Sequence, residues 1–342
     1  MTEGQRKPSK LLAVADASET QSAVQAAVAL ADVHGAALEV IACVEPPQDF
    51  SILSRLSGAA PDQLIEEAVE RVRTDIGSHL AELWPDRAIP VTVAVGKPFL
   101  EIIRHVARSG CDFVVKTGEP LTGIDRFLFS STDQHLLRKC PCPVWLLTPS
   151  VQRSPRCILA AVDLDVSDAA EPETLMALNR RVVDAACLLA AAPEAEVIVL
   201  HAWDAMGEGM VWAFSSGSQA RLSAEAYVNE ILDARHRAME RLLAEVRKDV
   251  GPQPRLVPRM ARGIPETVIH EQSRRVGADV VVMGTVARTG LSGVFIGNTA
   301  ENIINSLECP ILAVKPAGFV SPLLPGYAAA LSAALAPDCC NE

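Results

Sequence analysis

Cys111-Asp112-Phe113-Val114-Val115 returns as Ala278-Asp279-Val280-Val281-Val282. The same offset carries Gly96-Lys97-Pro98 to Gly263-Ile264-Pro265 and Cys142-Pro143-Val144 to Cys309-Pro310-Ile311. Each pair is separated by 167 residues, without a gap over the whole stretch. An unbroken offset of this length marks a duplicated domain, so the two copies can be compared position by position. Within each copy, short apolar runs alternate with helical patterns. That alternation implies a parallel sheet covered by helices on both faces.

In the first copy, the strands read as Leu11–Ala15, Leu38–Val44, a run ending at Gly96, Asp112–Lys116 and Val144–Leu147. Helices are expected over about 19–34, with Ser18 as N-cap, then over about 61–83, from Pro98, and over about 130–139. The second copy gives strands at Ile158–Val162, Val197–Ala202 and Ile311–Val314, and helices over about 171–191 and 218–249. Leu222, Tyr227, Ile231, Met239, Leu242, Leu243 and Val246 are expected near one face of the last of these. Asp16 and Asp163 end the first strand of each copy and are only 147 residues apart. The second copy therefore holds twenty extra residues, which fall in the glycine-rich 206–218 loop and the longer helix. The expected division is 1–150 and 151–316, with a tail over 317–342.

Composition limits the function. The chain has 342 residues, 49% of them hydrophobic, and a formal net charge of −11. This charge opposes binding to nucleic acid or to anionic lipid. No run approaches twenty apolar residues, so no membrane span is expected. The polar start at Met1–Lys10 has no signal-peptide pattern, and a cytoplasmic location is expected. Nine cysteines then read mostly as free thiols. Cys43, Cys157 and Cys187 read as core residues. Cys140-Pro141-Cys142 and Cys339-Cys340 lack a second cysteine or histidine cluster at zinc spacing, so no metal site is expected. No phosphate-binding P-loop, dinucleotide fingerprint or nucleophile elbow is present. His105, His135 and His236 stand on expected helices without a catalytic partner, and His201 is expected half-buried on a strand. No catalytic residue is assigned.

The copies differ most in the segment before the last helix. In the second copy, Met283-Gly284-Thr285-Val286-Ala287-Arg288-Thr289-Gly290 leads on to Gly297-Asn298-Thr299 at a helix start. Gly284 would let the backbone approach a ligand. The free amides at the helix start favour an anion. Arg288 and the hydroxyls of Thr285 and Thr299 add donors. Asp163 would lie beside this loop if strands one and four flank a switch point in the sheet. In the first copy, Thr117, Pro120, Leu121, Ser130 and Ser131 replace Gly284, Ala287, Arg288, Gly297 and Asn298. That half is expected to be a structural partner, or to take a different ligand.

These residues resemble those of the universal stress protein family, in its tandem-domain E type. Its ATP-binding members carry Gly, two residues, Gly, nine residues, then Gly followed by Ser or Thr. Gly284 and Gly297 match the outer glycines. Ala287 replaces the middle one, and Asn298 replaces the hydroxyl residue, with Thr299 next. The resemblance implies two tandem adenine-nucleotide alpha-hydrolase-like (Rossmann-like) α/β domains, each with a five-stranded parallel sheet. It implies ATP as ligand, with or without Mg2+, and a role in stress resistance. It places Asp163 near the adenine and ribose and Ala202 beside the adenine. The candidate binding set is thus Asp163, Ala202, Met283, Gly284, Thr285, Ala287, Arg288, Gly290, Gly297, Asn298 and Thr299. The resemblance also implies an intramolecular pseudo-dimer in which Val144-Trp145-Leu146 meets Ile311-Leu312-Ala313 edge to edge, and it allows a homodimer. A scaffold that binds no nucleotide, and a weak ATPase, are the alternative functions.

Overall fold

The computed structural model describes residues 7–15, 20–47, 49–118, 130–149, 154–165, 171–192, 194–205, 207–208, 217–285 and 298–325, with Ala169, Met210 and Ala213 singly. In the first copy, the elements are β1 (Lys10–Val14), α1 (Thr20–His34), β2 (Ala37–Val44), α2 (Phe50–Ser57), α3 (Pro61–Leu83) and β3 (Val91–Val95). They continue as α4 (Pro98–Ser109), β4 (Phe113–Thr117), α5 (Ser131–Lys139) and β5 (Val144–Leu147). The second copy gives β6 (Cys157–Val162), α6 (Pro172–Leu189), β7 (Glu196–Trp203), α7 (Gly217–Val250) and β8 (Arg255–Arg262). It ends with α8 (Pro265–Val276), β9 (Val280–Gly284), α9 (Asn298–Ser306) and β10 (Ile311–Val314). The expected α/β alternation is present. Helix α2 is an addition. The expected N-cap Ser18 and the acidic residue Asp16 lie outside the described residues, as does an Ala- and Leu-rich stretch at 327–335 that the sequence allows as a short helix.

The chain forms two compact units. One contains Lys7–Ser154 and the described chain from Glu308 on. The other runs from Pro155 and takes in the helix α9. In the first unit the strand order is β3-β2-β1-β4-β5-β10. The copy's own five strands are parallel, and β10 joins β5 antiparallel, with Ile311 opposite Leu146, Leu312 opposite Trp145 and Ala313 opposite Val144. The last strands of the two copies thus meet edge to edge as expected. This pairing covers a strand edge that would otherwise offer unpaired backbone groups. In the second unit, parallel strands run β8-β7-β6-β9.

The repeated aspartate of the opening stretch explains part of this register. Asp112 Oδ2 accepts from the Ser9 amide at 2.8 Å, and its Oδ1 accepts from the Lys10 amide at 3.1 Å. Asp279 Oδ2 accepts from the Arg156 and Cys157 amides at 2.8 and 2.9 Å. In both copies the residue before the fourth strand thereby ties down the start of the first. The repeated Gly-x-Pro serves a turn. Gly96 and Gly263 have φ of +140° and +141°, a region that L side chains avoid, and the proline that follows opens α4 or α8 at a position needing no amide hydrogen.

The core is as apolar as the composition suggests, with Leu11, Leu12, Val114, Ile158, Val281 and Leu312 fully buried. On α7, Met239, Leu242, Leu243 and Val246 are buried, whereas Leu222 is exposed. Ala224 is also buried, so the inward face of this helix passes beside Leu222 rather than through it. Among the described residues, no helix is long and apolar enough to cross a membrane.

Candidate functional site

The second unit has the reversal of strand order that the sequence requires. β6 is bonded to β7 on one side and to β9 on the other. The chain runs outward from β6 through β7 to β8, then returns to β9 across β6. The carboxyl ends of β6 and β9 are therefore adjacent, and ligands bind at such a reversal in open α/β sheets.

Asp163 stands at this point, directly after β6. Its backbone is held on both sides by Asn179 of α6, whose Oδ1 accepts from the Asp163 amide at 2.9 Å and whose Nδ2 donates to the Asp163 carbonyl at 2.6 Å. The side chain turns back on its own loop, where Oδ1 accepts from the Asp165 amide at 3.1 Å. His201, opposite Val162 on β7, completes the clamp. Its Nδ1 lies 3.2 Å from the Val162 carbonyl and 3.3 Å from the Leu164 amide. His201 is fully buried rather than half-buried. Burial holds its pKa below the ordinary value, against the contact with the Val162 carbonyl, and its Nε2 has no hydrogen-bond partner among the described residues. Arg235 of α7 pairs with Asp165 and so ties the long helix to this loop.

The remaining described candidates lie along the same sheet edge. Ala202 is the penultimate residue of β7 and is half-buried. Met283 and Gly284 end β9, with Met283 opposite Ala161 in the ladder. Thr285, directly after, is fully buried. Gly284 has a packing reason as well as a ligand reason. A Cβ there would fall 2.7 Å from Leu178 Cδ2 and 3.1 Å from Leu178 Cγ, so a side chain would force the Leu178 side chain of α6 to shift. Asn298 and Thr299 open α9. Ala287, Arg288, Gly290 and Gly297 lie outside the described residues.

Sequence reading missed Asn179, Asp165 and Arg235. Asn179 had a signal, since it is a polar residue in a buried helical stripe beside Leu178, Val182 and Val183. The partnership of Arg235 with Asp165 spans 70 residues and has no local signature.

The first copy fills the equivalent position with its own charges. Lys116 on β4 is buried, and its Nζ lies 3.0 Å from Oδ1 of Asp133, a fully buried residue on α5. Lys116 also donates to the Thr117 carbonyl at 3.0 Å. The other oxygen, Asp133 Oδ2, accepts from the Ser130 amide at 3.2 Å, and Ser130 Oγ accepts from the Asp133 amide at 3.3 Å. This capping box places an internal carboxylate on the helix donors that would otherwise face an anion. By the 167-residue offset, the second copy has Met283 and Ala300 in place of Lys116 and Asp133. Neither can supply a charge.

Comparison with known proteins agrees with this architecture. The model of the universal stress protein family matches residues 9–148 and 158–315. The chain is 29% identical over 283 residues to universal stress protein E of Escherichia coli K12, covering 81% of this chain and 85% of that one. It is 26% identical over 318 residues to universal stress protein E of Photorhabdus laumondii, covering 92% and 96%. A putative universal stress protein of known structure from Pseudomonas aeruginosa UCBPP-PA14 shares the fold at a TM-score of 0.60 and 24% identity, covering 96% of this chain and 98% of that one. With both copies matched almost end to end, the chain belongs to the universal stress protein family.

Proposed function

We propose that this protein serves the stress response by binding ATP in the second copy, with the first copy as its structural partner. The observation that carries the proposal is the contrast at the last helix. Asp133 supplies an anion to α5 from within the protein, and Lys116 neutralises it. Ala300 and Met283 supply neither at the matching positions of α9, whose first turn has Glu301 as its acidic residue, and this leaves room there for an anion from outside. A phosphate group has the charge and the acceptor oxygens for that helix start, and Arg288 in the preceding loop has the complementary charge. Asp163, fixed by Asn179 and His201, is suited to accept hydrogen bonds from a ribose or base. Mg2+ would accompany the phosphates as part of the ligand.

The reading assigns no residue as a general base for hydrolysis. The ligand therefore acts as a structural or signalling group. Asp163→Ala should weaken ATP binding at least tenfold, about 1.4 kcal/mol, whereas Asp16→Ala should leave it nearly unchanged. Calorimetric titration of both variants tests this. Equal losses would give the first copy a nucleotide site too. Unchanged affinity in both would remove the crevice from the proposal.

A further inference from the structure

The first unit carries a cluster at the opposite end of its sheet from the crevice. It is built from the starts of β1 and β2, the helix α4 and the cysteine that opens the repeated stretch. His105 Nε2 lies 2.9 Å from Glu39 Oε2, and Cys111 Sγ lies 3.9 Å from the same oxygen. One ligand atom from each of the three residues falls within 4.8 Å of the others. The other carboxylate oxygen, Oε1, is paired with Lys10, whose Nζ also donates to the Ser109 carbonyl at 3.1 Å. Lys10 therefore leaves Oε2 facing the histidine and the thiol.

We propose that Glu39, His105 and Cys111 form a binding site for a divalent transition-metal ion of the zinc class. A tetrahedral zinc ion with nitrogen and oxygen ligands at about 2.0 Å and sulfur at about 2.3 Å separates its ligand atoms by about 3.3–3.5 Å. The observed spacings bracket that range, and the His105–Glu39 contact needs only to open by about half an ångström. Thiolate and imidazole select zinc, cobalt or nickel over magnesium or calcium. One thiolate and one carboxylate offset the charge of a dication, with Lys10 adding one positive charge on the outer carboxylate oxygen. Binding breaks the S–H bond of Cys111, forms the metal–sulfur bond and releases the proton to water. It requires His105 to carry its proton on Nδ1. The fourth position is left to water.

The second copy provides an internal control. By ladder register and repeat offset, Ile198, Gln272 and Ala278 occupy the positions of Glu39, His105 and Cys111, and Cys157 occupies that of Lys10. Gln272 accepts from Arg259 at 3.1 Å. The scaffold thus folds with none of the three ligand types, and all three occur together in one copy. The residues are 66 and 72 apart along the chain, which is why no local metal-binding spacing announces them.

The test uses the reduced, chelator-treated full-length protein titrated with Co2+, then challenged with Zn2+. Cobalt bound to a thiolate gives a charge-transfer absorption in the near ultraviolet. The wild type should show this band at one equivalent, and Zn2+ should bleach it. Cys111→Ala should abolish the band, and His105→Gln should reduce affinity at least tenfold. Both changes install the residue that the second copy holds at that position. Cys140→Ala with Cys142→Ala should retain the band. Absence of the band in the wild type, or its persistence in Cys111→Ala, would overturn the proposal. If Cys111→Ala fails to fold by circular dichroism, unchanged affinity in His105→Gln would overturn it alone.

Discussion

Asp112 and Asp279 stand in the sequence as a repeated position and are structural staples in the fold. Each holds two backbone amides at the start of a neighbouring strand. Replacing either by Ala leaves those amides to water at a partly exposed site. The expected loss is about 1–2 kcal/mol for each, read as a lower midpoint in urea at unchanged slope. No shift would mean that water serves these amides equally well. The aspartate was visible as a repeat, but its partners were not, because they lie about a hundred residues away. Gly284 carries a similar lesson. Its absent side chain is explained in the structure by Leu178, a contact that no loop pattern encodes.

At the scale of elements, α5 and α9 are repeat counterparts, but α5 has a buried ion pair at its third residue where α9 has Ala300. Asp133→Ala alone would strand Lys116 in a buried site. Removing one member of such a pair costs about 3–5 kcal/mol. Adding Lys116→Met to Asp133→Ala reproduces the second copy's pair and should restore much of the loss. Thermal denaturation of the single and double variants checks this. A double variant no better than the single one would show that the capping box, rather than the ion pair, dominates. The strands and most helices were legible to within a few residues, because buried parallel strands read as apolar runs and Gly and Pro punctuate their ends. Helix α2 was not, since it is eight residues long and follows Pro46-Pro47. Of the candidate crevice, the strand-end aspartate was legible, while the loop pattern over 286–297 lies outside the described residues. The groups that fix that aspartate, Asn179 and His201, come from other elements and needed the fold to be seen.

Across the whole molecule, Lys315 joins the end of the second copy to the body of the first. Its Nζ donates to the Leu137 carbonyl at 2.5 Å and sits 5.2 Å from the Phe319 ring. Burial lowers its pKa to about 7 from an ordinary 10.5, against a small opposing effect of Cys140. The unfolded chain therefore binds more protons than the folded one between about pH 7 and 10.5, so stability should rise with pH across that window. The slope is at most about 1.4 kcal/mol per pH unit. Cys43 and Cys187, whose thiols burial pushes up to about 12, act in the opposite direction and only above about pH 9, where the unfolded chain has lost protons that the fold retains and stability falls. Denaturation midpoints measured from pH 7 to 8.5 should climb in the wild type and stay flat in Lys315→Met. A wild type that is flat over this range would mean that Lys315 remains charged in the fold.

The antiparallel contact of β10 with β5 has a consequence for synthesis. A ribosome finishes Leu147 long before it reaches Ile311, and at about 5–20 residues per second the interval is on the order of ten to thirty seconds. During that time the nascent first copy holds an apolar, unpaired edge at Val144-Trp145-Leu146. Ribosome pausing within the second copy would prolong this exposure. The last strand to be translated then closes the domain that was translated first.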